Sequence, residues 1–210
     1  MSKIEVDTIE PQSGTSLTLG ASRDTITIPS GATLTNSGTA TGFGGGKVLQ
    51  VVSATKTDTT STTSNVFSDV LTASITPTSA SNKILIISST NIGVSNAGLR
   101  AMTRLVRDST AIFIGDTAGS RVRASWQGGS FNTGSTESVN HTFLDSPNTT
   151  SAITYKLQFK SEINDGSFSV YVNRTYTDDD NDTYGRGATS ITLMEIQSWY
   201  MKLFMQHTQL

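Results

Sequence analysis

The sequence predicts an all-β chain, with a thin N-terminal intertwined β shaft followed by a β-sandwich of jelly-roll type. Three observations carry this. Charged residues make up only 15% of the 210 residues and hydrophobic residues 35%. Ser, Thr, Asn and Gly dominate the rest, a mixture in which Thr and Val fill strands while Gly, Asn, Asp and Ser turn the chain. Where apolar residues cluster, they often alternate with polar ones, the period of a strand with one covered face. Turn signals separate these alternations at short intervals.

Residues 1–46 form the first region. Their apolar residues are sparse and come as alternating pairs: Ile4 and Val6, Leu17 and Leu19, Ile26 and Ile28, then Leu34 alone. Pro11-Gln12-Ser13-Gly14 and Pro29-Ser30-Gly31 read as turns between them. Ser13-Gly14-Thr15-Ser16-Leu17-Thr18 is echoed by Ser30-Gly31-Ala32-Thr33-Leu34-Thr35 and half-echoed by Ser37-Gly38-Thr39-Ala40. Units with one or two apolar residues each cannot bury a core within one chain. Three copies wrapped about an axis would cover those residues, so a homotrimer is expected; the same composition also suits a disordered leader. Gly42-Phe43-Gly44-Gly45-Gly46 reads as a flexible joint.

Residues 47–197 have the texture of a folded head. Val48 to Val52 and Asn65 to Ile75 read as strands, and Ile84-Leu85-Ile86-Ile87 as a continuous apolar run fit for a buried central strand. Leu99 to Val106 and Ala111 to Gly115 flank a hairpin turn at Arg107-Asp108-Ser109-Thr110. Ile153, Tyr155, Leu157 and Phe159 alternate with Thr154, Lys156, Gln158 and Lys160, giving one apolar and one wet face. Phe168, Val170 and Val172 repeat the pattern after Asn164-Asp165-Gly166, and Ile191 to Ile196 supplies a last strand. Roughly eight to ten short strands without a helix between them predict a sandwich or jelly roll. In residues 198–210, Trp199, Tyr200, Leu203 and Phe204 stand at the spacing of a short amphipathic helix.

Several function classes find no support. A net charge of −2 gives no general attraction to nucleic acid or to an anionic membrane. No stretch approaches the roughly 20 apolar residues of a membrane span, and charges occupy Met1 to Asp7 where a signal peptide needs an apolar run. There is no cysteine, which removes disulfides and thiolate chemistry. The N-x-Thr triplets at Asn140, Asn148, Asn173 and Asn181 follow from the abundance of Thr.

The Gly-rich joint fails as a phosphate loop. Thr41 stands where the first glycine is needed and Val48 where Ser or Thr is needed. Asp178, Asp180 and Asp182 have the alternating spacing of a calcium loop, yet Thr183 replaces the required Gly and Thr189 the bidentate Glu. A solvated loop between strands fits better, and no metal or other cofactor is expected. Of the two histidines, His141 alternates with Val139 and Phe143 and so points to the core or its rim, while His207 lies in the tail. No serine stands in a nucleophile-elbow pattern, and no pair of carboxylates is singled out for glycan hydrolysis. No enzyme activity is expected.

Met1 to Pro11, Ile28 to Leu34 and Gly38 to Phe43 resemble the N-terminal shaft of tail-fibre and virion structural proteins from marine tailed bacteriophages, cyanophages included. Gly46 to Val52, Ser74 to Pro77, Ser81 to Leu85, Leu105 to Ile112, Leu144 to Pro147, Ile153 to Gln158 and Ile191 to Ile196 are similar to the same group. Their order along the chain carries the likeness, which spans nearly all of residues 1–197. The chain departs from the group in continuing from Trp199 to Leu210.

The resemblance implies a homotrimeric fibre on the surface of a phage particle, made in the host cytoplasm. Its N-terminal part, with Ile4, Val6 and Ile9 as anchor candidates, would seat on another virion protein of the tail or capsid. The expected function is attachment to a host-surface glycan or protein, and the alternative is a structural capsid-mounted fibre, decoration protein or tail adaptor. Candidate receptor contacts are Trp126, Tyr176, Asp178, Asp180, Tyr184 and Arg186, residues able to stack on or hydrogen-bond to sugars from loops. Trp126 and Tyr184 have the plainer alternative of finishing a core edge.

Overall fold

The structure is a computed structural model that describes residues 9–11, 13–19, 21, 24–33, 47–129 and 132–198. The chain divides into two units, Met1–Phe43 and Gly44–Leu210. In the first unit the Pro29 turn forms as the sequence expects. Ala32 N–H donates to the Pro29 carbonyl at 3.1 Å, with Gly31 at φ 85°, the left-handed position that a type II turn reserves for glycine. The described residues of this unit make no strand, and Ile9, Leu17, Leu19, Ile26 and Ile28 stay exposed. A single chain therefore leaves these apolar side chains uncovered, as their sparse pairing implies. The anchor candidates Ile4 and Val6, Leu34, the Gly-rich joint and the segment from Trp199 onward lie outside the described residues.

The second unit is all-β among its described residues, with eleven strands and every pairing antiparallel. The first sheet runs β1 (Val48–Lys56), β11 (Thr189–Ile196), β4 (Lys83–Val94), β10 (Val170–Val172) and β2 (Thr60–Thr62), with β8 (Glu137–Asp145) on β4 as well. The second runs β3 (Ser68–Ile75), β9 (Ile153–Ser161), β5 (Ala101–Arg107) and β6 (Thr110–Ile112), with β7 (Trp126–Gly128) also on β5. One core lies between the sheets. Ile84, Ile86, Ile92, Ile191, Leu193 and Val139 of the first sheet share it with Ile75, Leu105, Tyr155, Leu157 and Phe159 of the second. Burying each such large side chain contributes roughly 1.5–3 kcal/mol.

Strand β9 follows its sequence pattern closely. Ile153, Tyr155, Leu157 and Phe159 are all buried, while Thr154, Lys156 and Gln158 are partly exposed. The Arg107–Thr110 hairpin forms with Asp108 at φ 53°. Asp108 tolerates that conformation and its carboxylate accepts the Thr154 N–H at 2.9 Å.

Three expectations change. The run from Ile84 to Ile87 is not buried on both faces. Ile84 and Ile86 are sealed in the core, whereas Ile87 is 39% exposed and Leu85 half-buried. Among the described residues of this unit no second layer covers the outer face of that sheet, so the strand alternates. Register then places Val51, Met194, Leu85 and Leu144 in one row across β1, β11, β4 and β8 on that outer face. Phe168 is buried in a connection, and the ladder begins only at Val170. Trp126, expected on a loop, opens β7 instead.

Candidate functional site

Five of the six receptor-contact candidates come together on one loop, residues 174–187, between β10 and β11. Asn173 builds its base. This residue is fully buried at φ 64°, a left-handed conformation that asparagine adopts more readily than most residues. Its backbone N–H donates to the Asn91 carbonyl at 2.9 Å, and its own carbonyl accepts the Gly187 N–H at 3.0 Å, which ties the two ends of the loop together. The side-chain amide donates to the Lys56 and Asp58 carbonyls at 2.9 and 3.0 Å, and its oxygen accepts the Thr189 hydroxyl at 2.8 Å. Compact loops with joined ends of this kind are frequent carriers of function. Gly93 on β4 makes room for the loop, because a Cβ there would run into the Arg174 carbonyl oxygen.

Above this base the guanidinium of Arg174 stacks 3.9 Å over the Tyr171 ring, and Tyr176 lies 6.0 Å from the same ring. Tyr176 is 49% exposed, and its N–H donates to the Thr133 carbonyl at 3.1 Å. Tyr184 is half-buried and flanks Gly134, so the loop docks on the 132–134 segment at two points. Asp178 accepts from Arg186 at 2.7 Å and faces Arg174 at 3.7 Å. Asp180 is exposed.

These contacts turn Asp178 toward guanidinium groups. Among the described residues no three His, Cys, Asp or Glu side chains gather as a metal site. The loop is thus a polar and aromatic surface with four aspartates and two arginines, suited to hydrogen bonding and ring stacking.

Trp126 is not part of it. It is half-buried, packs against the core cluster and borders a hollow of about 320 Å³ that Asp116 and Arg121 also line. The core-edge alternative describes it, because β7 pairs it with Thr103 of β5.

His141 points inward, as its alternation implies. Its Nε2 lies 3.0 Å from the Thr103 hydroxyl, with Phe113 edge-on at 6.2 Å, and burial lowers its pKa from 6.5 to about 4. An unfolded chain therefore takes up this proton at a higher pH than the folded one does. Stability contributed by the neutral imidazole is complete above pH 6.5 and is lost as pH falls toward 4. The expected loss is about 3 kcal/mol across that window. Denaturant titrations at successive pH values will show it, and His141→Gln will flatten the profile over the same range.

Two networks have no counterpart in the sequence reading. The Asp145 carboxylate accepts from Arg107 at 2.9 Å and from the fully buried Tyr155 hydroxyl at 2.7 Å. Burial, reinforced by Asp145, pushes the Tyr155 pKa above the usual phenol range and keeps it a donor. Glu195, fully buried on β11, has no cationic partner among the described residues. Gln50, Thr78 and Asn82 hold its carboxylate instead.

No protein-family model matches the chain, and no curated protein matches it. Solved structures to which the chain is similar include T=1 particles derived from infectious bursal virus, at 14% identity and a TM-score of 0.40, covering 70% of this chain and 37% of that one. The Gx strain of infectious bursal disease virus gives 14% identity and a TM-score of 0.34, covering 71% and 40%. The VP2 subviral particle of the same virus gives 13% and 0.33, covering 70% and 39%. The chain spans about two fifths of the length of these proteins.

Proposed function

We propose that the chain is a bacteriophage virion fibre protein, a homotrimeric tail fibre whose sandwich head attaches the particle to a glycan or protein of the host surface. The observation that carries this reading is the loop closed by Asn173, which presents Tyr176, Asp178, Asp180 and Arg186 to solvent beside Tyr184. A rigid base with polar and aromatic side chains above it suits weak contacts made three at a time, where avidity multiplies modest affinity. The ordered likeness of residues 1–197 to phage fibre proteins supports the virion role. The exposed apolar residues of the first unit, Ile9 to Ile28, support trimerisation, since neighbouring copies would cover them.

One observation favours the structural alternative, a capsid-mounted fibre, decoration protein or tail adaptor without a receptor. The outer row of Val51, Met194, Leu85 and Leu144 is apolar on a face that the described residues of the head leave uncovered, as a part packed among other virion proteins would have it. Fluorescently labelled full-length protein separates the two readings. Attachment predicts saturable staining of host cells, and Tyr176→Ala combined with Arg186→Ala will weaken it at least tenfold. No staining at micromolar concentration sinks the receptor reading and leaves the structural one.

A further inference from the structure

On the outer face of the second sheet, β5 and β9 pair Met102 with Lys160 and Arg104 with Gln158. A groove of about 570 Å³ opens over them. Val66 and Phe67, from the connection before β3, form one wall, and Val122 and Arg123, from the connection between β6 and β7, form the other. Three cations line this groove and no carboxylate does.

Lys160 is the unusual member. It is 5% exposed, yet among the described residues its ammonium has no hydrogen-bond acceptor and no ion pair. Its neighbours are the Phe67 ring at 5.6 Å and the Arg104 guanidinium, which lies 4.1 Å over the same ring. Two neighbouring cations at the floor of a groove repel each other and favour an anion between them; burial and Arg104 lower the Lys160 pKa, and Glu162 offsets part of this. Two nearby carboxylates act on these cations from outside the groove, Glu162 on Lys160 and Asp69 on Arg104, while their hydrogen bonds go to other residues. Asp69 binds Gln158 at 2.6 Å and Lys156 at 3.1 Å, and Glu162 accepts the Arg100 N–H at 2.8 Å. Arg104 and Arg123 use their Nε atoms on the Gln158 side chain and the Gly115 carbonyl, and their terminal nitrogens have no protein partner among the described residues.

Beside this positive floor the rim is aliphatic, with Val66 68% and Val122 46% exposed. A ligand that matches both features carries an anionic group on a body with an apolar face. A carboxylated or sulfated sugar ring has that form.

We propose that this groove binds an acidic glycan, with Arg104, Lys160 and Arg123 on its carboxylate or sulfate and Val66 and Val122 against the ring. The choice of a glycan over other anions rests on the attachment reading above. Arginine supplies planar bidentate donors to either oxyanion, and lysine a point charge.

Calorimetry of the full chain with trigalacturonate, a sulfated galactose trisaccharide, neutral galactotriose and an oligoglutamate peptide tests this. At least one charged sugar will bind at submillimolar concentration, the neutral one will not, and the better of the two charged sugars identifies the anion. Lys160→Met keeps the stem and removes the charge, so it will weaken binding at least tenfold while its Tm stays at or above that of the unaltered chain. Arg123→Gln, at the exposed rim, will weaken binding without affecting Tm. Equal binding of charged and neutral sugars, no binding of any, tighter binding of oligoglutamate, or unchanged affinity in Lys160→Met would each overturn the proposal. Host-cell staining without any acidic-glycan binding would sink this groove and leave attachment standing. Glycan binding without staining would do the reverse.

Discussion

Glu195→Ala will lower the unfolding free energy by about 4 kcal/mol or more, since hydrogen bonds to a buried charged group contribute roughly 1.5–3 kcal/mol each. The carboxylate is fully buried and accepts the Gln50 amide at 2.7 Å, the Thr78 N–H at 2.7 Å, the Thr78 hydroxyl at 2.8 Å and the Asn82 amide at 2.6 Å. Removing it orphans donors from two separate segments, Gln50 on β1 and Thr78 with Asn82 in the connection between β3 and β4. It also releases Asn82, whose side-chain oxygen accepts the Ser198 N–H at 3.2 Å.

The same geometry fixes the pH dependence. Burial raises the Glu195 pKa, but the donors from Asn82, Gln50 and Thr78 together outweigh it and leave the folded value below the usual 4.5. Its stabilisation is therefore present above about pH 4.5 and is lost as pH falls through the lower folded value. Glu195→Gln, which keeps the shape and the one oxygen that accepts three of the four hydrogen bonds, will cost less than the alanine and abolish that acid-side loss. Denaturant unfolding between pH 3 and 7 distinguishes the two variants, and the His141 window lies at higher pH.

Asn173→Ala will cost about 3–4 kcal/mol, from three side-chain hydrogen bonds and roughly 1 kcal/mol for a non-glycine residue in the left-handed region. Asn173→Gly separates the contributions, because it restores the backbone freedom without the amide. Asn173→Asp keeps an acceptor for Thr189 and sets a carboxylate against the Lys56 and Asp58 carbonyls, so it will be at least as damaging as alanine. Amide hydrogen exchange across 174–187 is the direct readout. The amides of that loop will exchange faster in the alanine variant than in Tyr176→Ala, and a loop equally protected in both would mean that Asn173 is not its anchor. The Asn173-Arg174-Thr175 triplet also loses any sense as a glycan acceptor in the folded chain, since its amide nitrogen is sealed between two carbonyls.

How much of this could be read in the sequence depends on the range of the interaction. The β9 alternation and the Arg107–Thr110 hairpin are local, set by period-two patterning and a turn residue; the hairpin formed as written, and the alternation did except at Lys160, expected on the wet face and found buried. The run from Ile84 to Ile87 misleads because an apolar side chain does not record whether a second layer covers it. Trp126 misleads because a three-residue strand has no period to detect.

The loop candidates were legible as a group because they share one segment. Their anchor was not, because the partners of Asn173 come from residues 56, 58, 91, 187 and 189. Glu195 shows the same limit. Its inward phase after Ile191 and Leu193 is visible, but nothing local names Gln50, Thr78 and Asn82 as its donors. The cationic groove draws on segments near residues 66, 104, 123 and 160, and Lys160 looks in sequence like one more residue of a wet face.

The central claim is that this chain is an external component of a phage particle. Immunogold electron microscopy of purified intact particles, with antibody raised against the full chain, tests it most directly. The account predicts gold on thin projections from the outside of the particle, at the tail or on the capsid. Abundant protein in the infected lysate with no label on intact particles would contradict it.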